Sequence, residues 1–401
     1  MSDRMADGGV ATLEIDPFSK ASLAEPLIVD EVIRETADVV WSEQYGVWFT
    51  GRYAVADAVF RDYETFESSA GTGMTNTKKT ENWRKPSVIL ENDPPGHTKY
   101  RRIMTSVLSQ RVVRRLTEDF QARADELVDA VVPKLEFNAA TELAEAFPLT
   151  VLPDAVGFSP EGREHLLPYS NLNFQAMGPR NEFYAAAAEA AGEASAFVNW
   201  QMRREALDPN GLGHKIYAYV DEGEITEEDA GMLVRTFLSA GVDTTIFAIQ
   251  FTLKALAEHP GAWAALRQDP TLARRVFEET LRWTPSSPYI GRTTSRATEI
   301  GGTPIGAGEK VIMSLAAANR DPRRWDDPNA FDISRDPSGH LAFGTGIHGC
   351  VGQMMARMEA TCLLTALARR VETIEIAGDP VPFYSNWLRG FEDLPLRVSL
   401  V

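Results

Sequence analysis

The chain has 401 residues, 44% of them hydrophobic, and a formal net charge of −17 at pH 7. This size allows a large buried core, whereas the excess of acidic residues argues against a nucleic-acid partner, because phosphate binding requires a positive surface. Two cysteines, Cys350 and Cys362, cannot hold so long a chain together by disulfides, which favours a reducing, cytoplasmic location.

The sequence shows no internal domain boundary. No Gly/Ser tract, low-complexity run or fixed-period repeat interrupts it, so we predict a flexible N-terminal segment at residues 1–16 and a single domain at residues 17–401. The N-terminus lacks the basic-then-apolar order of a signal peptide, and no run approaches the roughly 18 apolar residues that span a bilayer. We therefore expect no membrane partner.

Helical periodicity dominates the chain, with apolar residues recurring at spacings of three and four. The predicted helices are residues 115–132, 182–205, 227–258, 272–283 and 352–371. Strand patterns are shorter and occur at residues 46–51, 297–305, 310–315 and 396–401. The sequence therefore predicts a mainly α protein with small β-sheets.

A basic stripe precedes and enters the first predicted helix. The sequence between Gly96 and Thr117 has no acidic residue. Its six cations are Lys99, Arg101, Arg102, Arg111, Arg114 and Arg115. Such a stripe is either a solvated helix face or a docking patch for an acidic protein or an anionic cofactor.

The predicted helix 227–258 would be about 48 Å long at about 1.5 Å per residue, enough to cross the whole domain. Its middle, "SAGVDTT" at residues 239–245, contains a glycine and two β-branched threonines that weaken a helix. A close helix crossing would explain the small residues, but it would not explain Asp243 beside Thr244. The pattern therefore favours a functional role for this segment.

The stretch "HLAFGTGIHGCVG" at residues 340–352 contains the GxGxxG spacing of dinucleotide-binding loops. That motif requires a preceding buried strand within a βαβ unit, and this pattern is missing from the sequence. A zinc site is also disfavoured, because the histidines and cysteines here lack paired ligand spacing. A nucleophilic pair of Cys350 with His348 would need an orienting third group and an oxyanion site, which nothing nearby in the sequence offers.

The remaining interpretation is a cysteine at the N-terminus of a helix, where N–H groups stabilise a thiolate that acts as a nucleophile or a metal ligand. Five positions match the haem-binding signature Phe-x-x-Gly-x-His-x-Cys-x-Gly, and by this motif the chain resembles cytochrome P450 enzymes. The matching residues are Phe343, Gly346, His348, Cys350 and Gly352.

The resemblance implies a helix-rich, triangular cytochrome P450 fold whose long central helix lies over haem b, with Cys350 as the iron ligand. It implies that the haem propionates are bound by His97, Arg101, Arg292, His340 and His348. It also implies a network of Glu279, Arg282 and Arg335 that supports folding and haem retention. Taken alone, a Glu and an Arg three apart often form a weak surface pair.

The resemblance further implies a monooxygenase that uses dioxygen. The loosened helix would make room for dioxygen and water, Thr244 would hydrogen-bond at the oxygen site, and Asp243 would relay solvent protons. Because the sequence has no flavin or iron–sulfur motif, electrons would come from NAD(P)H through a flavoprotein reductase and a ferredoxin. The basic stripe offers the ferredoxin a docking site.

Over nearly its full length, the chain looks similar to bacterial members of the family that oxidise para-substituted benzoic acids. The likeness is carried by residues 82–98, 147–174, 233–245 and 317–325. By this resemblance the substrate residues are Arg84, Ser87, Phe174, Arg235, Thr236, Ser239, Ala240 and Gly291. A buried benzoate needs a cation and hydroxyl donors, although Arg84 alone could belong to a solvated basic loop. Met177 and Gly291 stand where the subgroup has phenylalanines, so we expect Gly291 to widen the pocket.

The expected function is hydroxylation or oxidative O-demethylation of an aromatic carboxylic acid. Oxidation of a neutral terpenoid or fatty acid is the main alternative, and Arg84 would then be a surface residue. A non-catalytic haem sensor would have no need of a proton relay at Asp243. A peroxide-driven enzyme would typically place an acid or another special base at the position of Thr244.

Overall fold

The computed structural model describes residues 10–80 and 82–401, in which sixteen α-helices and twelve β-strands occur. The helices are α1 (Lys20–Ala24), α2 (Pro26–Thr36), α3 (Tyr53–Arg61), α4 (Gly96–Val107), α5 (Gln110–Val131), α6 (Ala146–Val156), α7 (Leu166–Gln175), α8 (Glu182–Ala190), α9 (Ala194–Gln201), α10 (Leu212–Asp221), α11 (Glu227–Ala240), α12 (Asp243–Glu258), α13 (Pro260–Gln268), α14 (Ala273–Trp283), α15 (Leu315–Ala318) and α16 (Gln353–Arg370). The strands are β1 (Val40–Ser42), β2 (Val47–Thr50), β3 (Phe66–Glu67), β4 (Glu136–Asn138), β5 (Tyr289–Thr294), β6 (Thr298–Ile300), β7 (Thr303–Ile305), β8 (Lys310–Ser314), β9 (Val371–Ile376), β10 (Val381–Phe383), β11 (Gly390–Asp393) and β12 (Pro395–Leu400). The predicted mainly α fold with small sheets is confirmed.

The largest sheet has five strands in the order β1-β2-β8-β5-β3. In this sheet β2 pairs with β8 in parallel and the other pairs are antiparallel. A second sheet has the order β4-β12-β9, and β6–β7 and β10–β11 form hairpins. Each predicted strand segment contains a strand, and residues 297–305 form the β6–β7 hairpin. The sequence pattern missed β5, in which Gly291 interrupts a short apolar run.

The main hydrophobic core extends from Phe18 to Val398 and includes residues of α5, α12 and α16. Because one hydrophobic core contains residues from nearly the whole length of the chain, we propose that residues 17–401 form a single domain. Of the predicted N-terminal segment, residues 1–9 lie outside the described residues. The next residues run beside β1, where Leu13 N donates to Trp41 O at 2.8 Å.

The predicted helix 227–258 consists of α11 and α12, which are interrupted at Gly241. Its capping box is present, since the Thr226 side chain accepts a hydrogen bond from Asp229 N at 3.1 Å. Gly241 lies against α6, because a Cβ at this position would be 3.0 Å from Leu152 Cδ2. The interruption therefore coincides with a close contact between helices.

The helical run Glu227–Glu258 is long and apolar enough, by length and composition, to cross a membrane. By length and composition alone, the longest helix is therefore an exception to the expectation that no segment could span a bilayer. In the structure, 72% of its most apolar window is buried. Such burial is typical of a helix that passes through a protein core.

Residues 182–205 do not form the single helix predicted for them, because a turn at Gly192 separates α8 from α9. Glycine is about 1 kcal/mol less favourable than alanine inside a helix, so a break is least costly there. The helix predicted at residues 115–132 begins earlier, at Gln110, since Ser109 has the extended backbone of an N-cap.

Candidate functional site

The loop before α16 holds Cys350 in a closed turn. Its N–H donates to the carbonyl oxygen of Phe343 at 2.7 Å, so the loop folds back on itself. Gly346 has a φ of 69°, and a Cβ there would lie 2.8 Å from the Phe60 carbonyl oxygen. The motif position at Gly346 therefore requires glycine for its backbone conformation and for close packing on α3.

The thiol of Cys350 is a free, half-buried group. Burial raises its pKa, while the N–H groups of Gly352 and Gln353 and the charges of Arg101 and Arg357 act to lower it. We predicted that the helix N-terminus would favour a thiolate. The structure shows that this stabilisation is present but is outweighed by burial.

Buried donors around this loop lack hydrogen-bond partners in the part of the chain that the structure describes. They are His97 Nε2 and Arg292 Nη2, whereas His348 Nε2 lies 3.6 Å from the carboxylate oxygen Oδ1 of Asp93. The rings of His97 and His348 lie 4.3 Å apart, and Arg292 donates only through Nη1, to the carbonyl of Gly291 at 2.8 Å. Burial lowers the pKa of His97 to about 4 and that of Arg292 to about 10. Buried, unsatisfied donors of this kind suit the two carboxylates of haem, so the residues present fit that cofactor.

The other two predicted propionate partners are already engaged. The guanidinium of Arg101 donates to the carbonyl of Gly349 within the cysteine loop. His340 Nε2 lies 2.9 Å from Glu278 Oε2, and His340 Nδ1 accepts from Ala342 N at 3.2 Å. Because both ring nitrogens are occupied, His340 has no free donor for a propionate, and the predicted role is not supported. Its contacts tie the cysteine loop to α14 instead.

The distal segment joins α11 to α12. Thr244 Oγ1 donates to Ala240 O across the interruption at 3.2 Å. Ala240 is exposed, whereas Leu238 and Val242, two residues away on either side, are buried. The predicted loosening of the helix is therefore present, and it leaves Ala240 exposed and Thr244 partly exposed.

Asp243 is buried at the start of α12, and its Oδ1 has no hydrogen-bond partner within residues 10–80 and 82–401. Burial raises the pKa of this carboxyl well above its ordinary value, a hydrogen bond with Ser170 acts against that rise, and the charge of Glu145 adds to it. Burial therefore favours the protonated form of Asp243, which is the form that can supply a proton.

The carbonyl of Ser239 accepts hydrogen bonds from two side chains of α7. Asn173 Nδ2 donates to it at 3.1 Å, and Ser170 Oγ at 3.4 Å. Sequence reasoning missed both residues, although Asn173 directly precedes Phe174, the buried aromatic that it selected as a pocket wall. Asn173 also accepts from Arg84 Nε at 2.6 Å, and so links the predicted acid-binding loop to the distal segment.

The structure brings three predicted substrate residues together. The guanidiniums of Arg84 and Arg235 both donate to the carbonyl of Lys85, at 2.9 and 2.8 Å. The N–H of Ser87 and the guanidinium of Arg84 both donate to Glu91 Oε2, at 2.7 and 2.8 Å. Arg84 is therefore not part of a solvated loop, and Glu91 is a member of this site that the sequence did not suggest.

Arg235 is only 6% exposed, and burial together with the charge of Arg84 lowers its pKa to about 10. Thr236, next to it, donates within α11 to Met232 O at 3.4 Å. The hydroxyl of Thr236 therefore forms its hydrogen bond within its own helix, whereas Arg235 remains a buried cation.

Gly291 does not widen a pocket as expected. A Cβ there would lie 2.8 Å from Gly73 O and 3.0 Å from Thr72 O, because that loop packs directly on β5. Gly73 in turn lies against Met177, whose carbonyl oxygen would be 2.4 Å from a Cβ at position 73. The space left by the absent benzyl group is filled by backbone.

Glu279, Arg282 and Arg335 meet behind the cysteine loop. Glu279 and Arg282 are fully buried and form two hydrogen bonds of 2.7 and 2.8 Å, and Arg335 Nε lies 3.5 Å from Glu279. Arg282 also donates to the carbonyl oxygens of Asn319, Pro328 and Ala330. This pair is therefore a buried crosslink and not a surface ion pair.

Comparisons with known proteins agree with this geometry. The family model described as Cytochrome P450 matches residues 199–395. Cytochrome p450 CYP199A2 of Rhodopseudomonas palustris is 47% identical, over 98% of this chain and 95% of that protein. Erythromycin C-12 hydroxylase of Saccharopolyspora erythraea is 30% identical over 89% of each. The structure of cytochrome P450 CYP109Q5 from Chondromyces apiculatus superposes with a TM-score of 0.81 and 30% identity, covering 96% of this chain and 98% of that chain.

Proposed function

The chain belongs to the cytochrome P450 family, and from that premise we propose that this P450 monooxygenase oxidises an aromatic carboxylic acid such as a 4-substituted benzoate. Haem, bound through Cys350, supplies the chemistry that activates dioxygen, with electrons from partner proteins. The observation that carries the substrate proposal is the buried guanidinium pair of Arg84 and Arg235, linked through Asn173 to the distal segment.

Charge counting supports an anionic substrate. Arg84 and Arg235 carry two positive charges, and Glu91 supplies one negative charge to the same cluster. A buried cation is costly unless it is paired, so one further carboxylate would complete the cluster. Anchoring a flat molecule by its carboxylate would also restrict which of its carbons reaches the oxidation site.

We also propose that Asp243 and Thr244 form the proton relay. Burial raises the pKa of Asp243 and so favours its protonated form, and its Oδ1 is available to hydrogen-bond water in the described structure. Thr244, the next residue, is partly exposed. A general acid placed in this way acts within hydrogen-bond reach of the reacting group.

Electrons are proposed to come from NAD(P)H through a flavoprotein reductase and a ferredoxin. Within the basic stripe, Arg102 pairs with Glu224, and Arg101 turns inward to the cysteine loop. The exposed cations at the start of α5 are Arg111, Arg114 and Arg115. These three support docking of an acidic partner in the cytoplasm, where free cysteines persist.

Replacement of Arg84 by leucine tests the substrate proposal. We expect Arg84→Leu to weaken binding of 4-methoxybenzoic acid by about 10- to 100-fold and to leave binding of its methyl ester nearly unchanged. The measurement is the low-spin to high-spin change of the Soret band on titration of the ferric haem protein. Lys78→Leu is the control, because it removes a cation from an exposed ion pair on the same segment.

If neutral hydrophobic compounds shift the Soret band of the wild type and the acid does not, the aromatic-acid proposal is wrong. A neutral terpenoid or fatty acid would then be the substrate class to test.

Charge reversal at the start of α5 tests the docking proposal. We expect Arg114→Glu to slow haem reduction by a bacterial ferredoxin and its flavoprotein reductase by about tenfold at low salt. The loss should shrink as ionic strength rises. Arg203→Glu, an exposed reversal outside the stripe, is the control. Equal losses in both variants, or a loss unaffected by salt, would contradict docking at this patch.

A further inference from the structure

Glu91 occupies the donors that the proposed function assigns to a substrate carboxylate. Its Oε2 accepts from the guanidinium of Arg84 at 2.8 Å and from the N–H of Ser87 at 2.7 Å. Both partners of the ion pair are nearly buried, with side chains of Arg84 and Glu91 only 10% and 6% exposed. The folded protein therefore already places a carboxylate, that of Glu91, against the guanidinium of Arg84.

We propose that Glu91 is an internal competitor of the substrate, which holds Arg84 until an entering carboxylate takes over the guanidinium. This inference rests on the proposed function and deepens it, since it names the residue that sets the affinity for acids. The exchange involves no covalent step. One carboxylate replaces another on the same donors, and the difference in their interaction energies decides the affinity.

The local backbone allows Glu91 to release Arg84 without unfolding the loop. Ser87 Oγ accepts hydrogen bonds from Ile89 N and Leu90 N, at 3.4 and 3.1 Å, so the turn closes through its own atoms. Arg84 keeps Asn173 and Lys85 O as partners in either state. The Glu91 side chain can therefore change rotamer while the rest of the turn stays in place.

A released Glu91 also has a second cation within electrostatic reach. Lys310 on β8 is buried and feels the charge of Glu91. Its ammonium group donates to the carbonyl oxygens of Ala70 at 3.0 Å and Gly71 at 2.5 Å, which are neutral acceptors. Release of Arg84 by Glu91 would leave the positive charge of Arg84 and Arg235 to the substrate.

Glu91→Gln tests the exchange, because glutamine keeps the size of the side chain and an acceptor for Ser87 N but removes the charge. We expect 4-methoxybenzoic acid to bind this variant about tenfold more tightly than wild type, with no gain for the methyl ester. Glu67→Gln is the control, since it neutralises a partly exposed carboxylate on β3 that pairs with Lys78 and not with Arg84.

A double-variant comparison separates competition for Arg84 from simple repulsion between two carboxylates. If Glu91 competes for Arg84, Glu91→Gln gives no gain in the Arg84→Leu background. If Glu91 only repels the acid, the gain persists without Arg84, and the proposal is overturned.

Two further outcomes are decisive. Glu91→Asp keeps the charge but shortens the reach to Arg84, so it should also tighten acid binding, by less than glutamine does. It serves as the test if Glu91→Gln fails to retain haem. Unchanged or weaker acid binding in both variants would make Glu91 a support for Arg84 and overturn the proposal. A wild type without any preference for acid over ester would instead refute the proposed function.

Discussion

Arg282→Met is expected to lower the free energy of unfolding by about 3–5 kcal/mol and to yield protein that does not retain haem. Arg282 is fully buried, makes two hydrogen bonds to Glu279, and donates to three backbone carbonyls. Methionine fills a similar volume but leaves the Glu279 carboxylate buried without its partner. Denaturant unfolding monitored by circular dichroism, together with haem content, measures the loss.

Arg274→Met is the matched control for this prediction. Arg274 lies on the same helix, α14, and its exposed guanidinium lies 3.6 Å from Glu278, which keeps His340 and Arg357 as its other partners. Removal of such a surface pair changes stability by about 0–1 kcal/mol. Similar unfolding of the two variants would show that the buried network is not needed for the fold.

The features that could be predicted from the sequence are those encoded by fixed local spacing. The cysteine signature around Cys350 and the weakened segment at residues 239–245 are each set within about ten residues, and the structure forms both. The network of Glu279, Arg282 and Arg335 was expected from the family resemblance, because a Glu and an Arg one helical turn apart are by themselves typical of a weak surface pair. Burial of this pair, however, depends on carbonyls of a loop far along the chain.

The expectations that failed depend on tertiary contacts that no local pattern contains. Gly291 was expected to open space, but the loop at Thr72 and Gly73 packs against it. His340 was expected to bind a haem propionate because it lies next to the cysteine motif, but its Nε2 contacts the carboxylate of Glu278 on α14. Glu91 was overlooked because one glutamate in a polar loop carries no signal until Arg84 folds onto it.

Asp243→Asn is expected to reduce monooxygenase turnover by about 10²- to 10⁴-fold while the acid-induced Soret shift keeps its affinity. The isosteric amide cannot act as an acid, whereas the raised pKa of the buried Asp243 favours a carboxyl group that can deliver a proton. The measurement is the rate of product formation, compared with the rate of electron uptake, in the presence of the ferredoxin and its reductase. Glu258→Gln, an exposed change at the far end of the same helix, should leave turnover unchanged.

The raised pKa of Asp243 adds a prediction about pH that distinguishes wild type from Asp243→Asn. Because the folded protein binds this proton more tightly than the unfolded chain does, its contribution to stability is largest at low pH. That contribution falls as pH rises through the ordinary carboxyl range and beyond. Wild-type turnover should likewise fall at high pH as the acid loses its proton, and Asp243→Asn should lack that limb. A variant with wild-type turnover and the same pH profile would remove Asp243 from the relay and leave Thr244 with solvent water as the proton source.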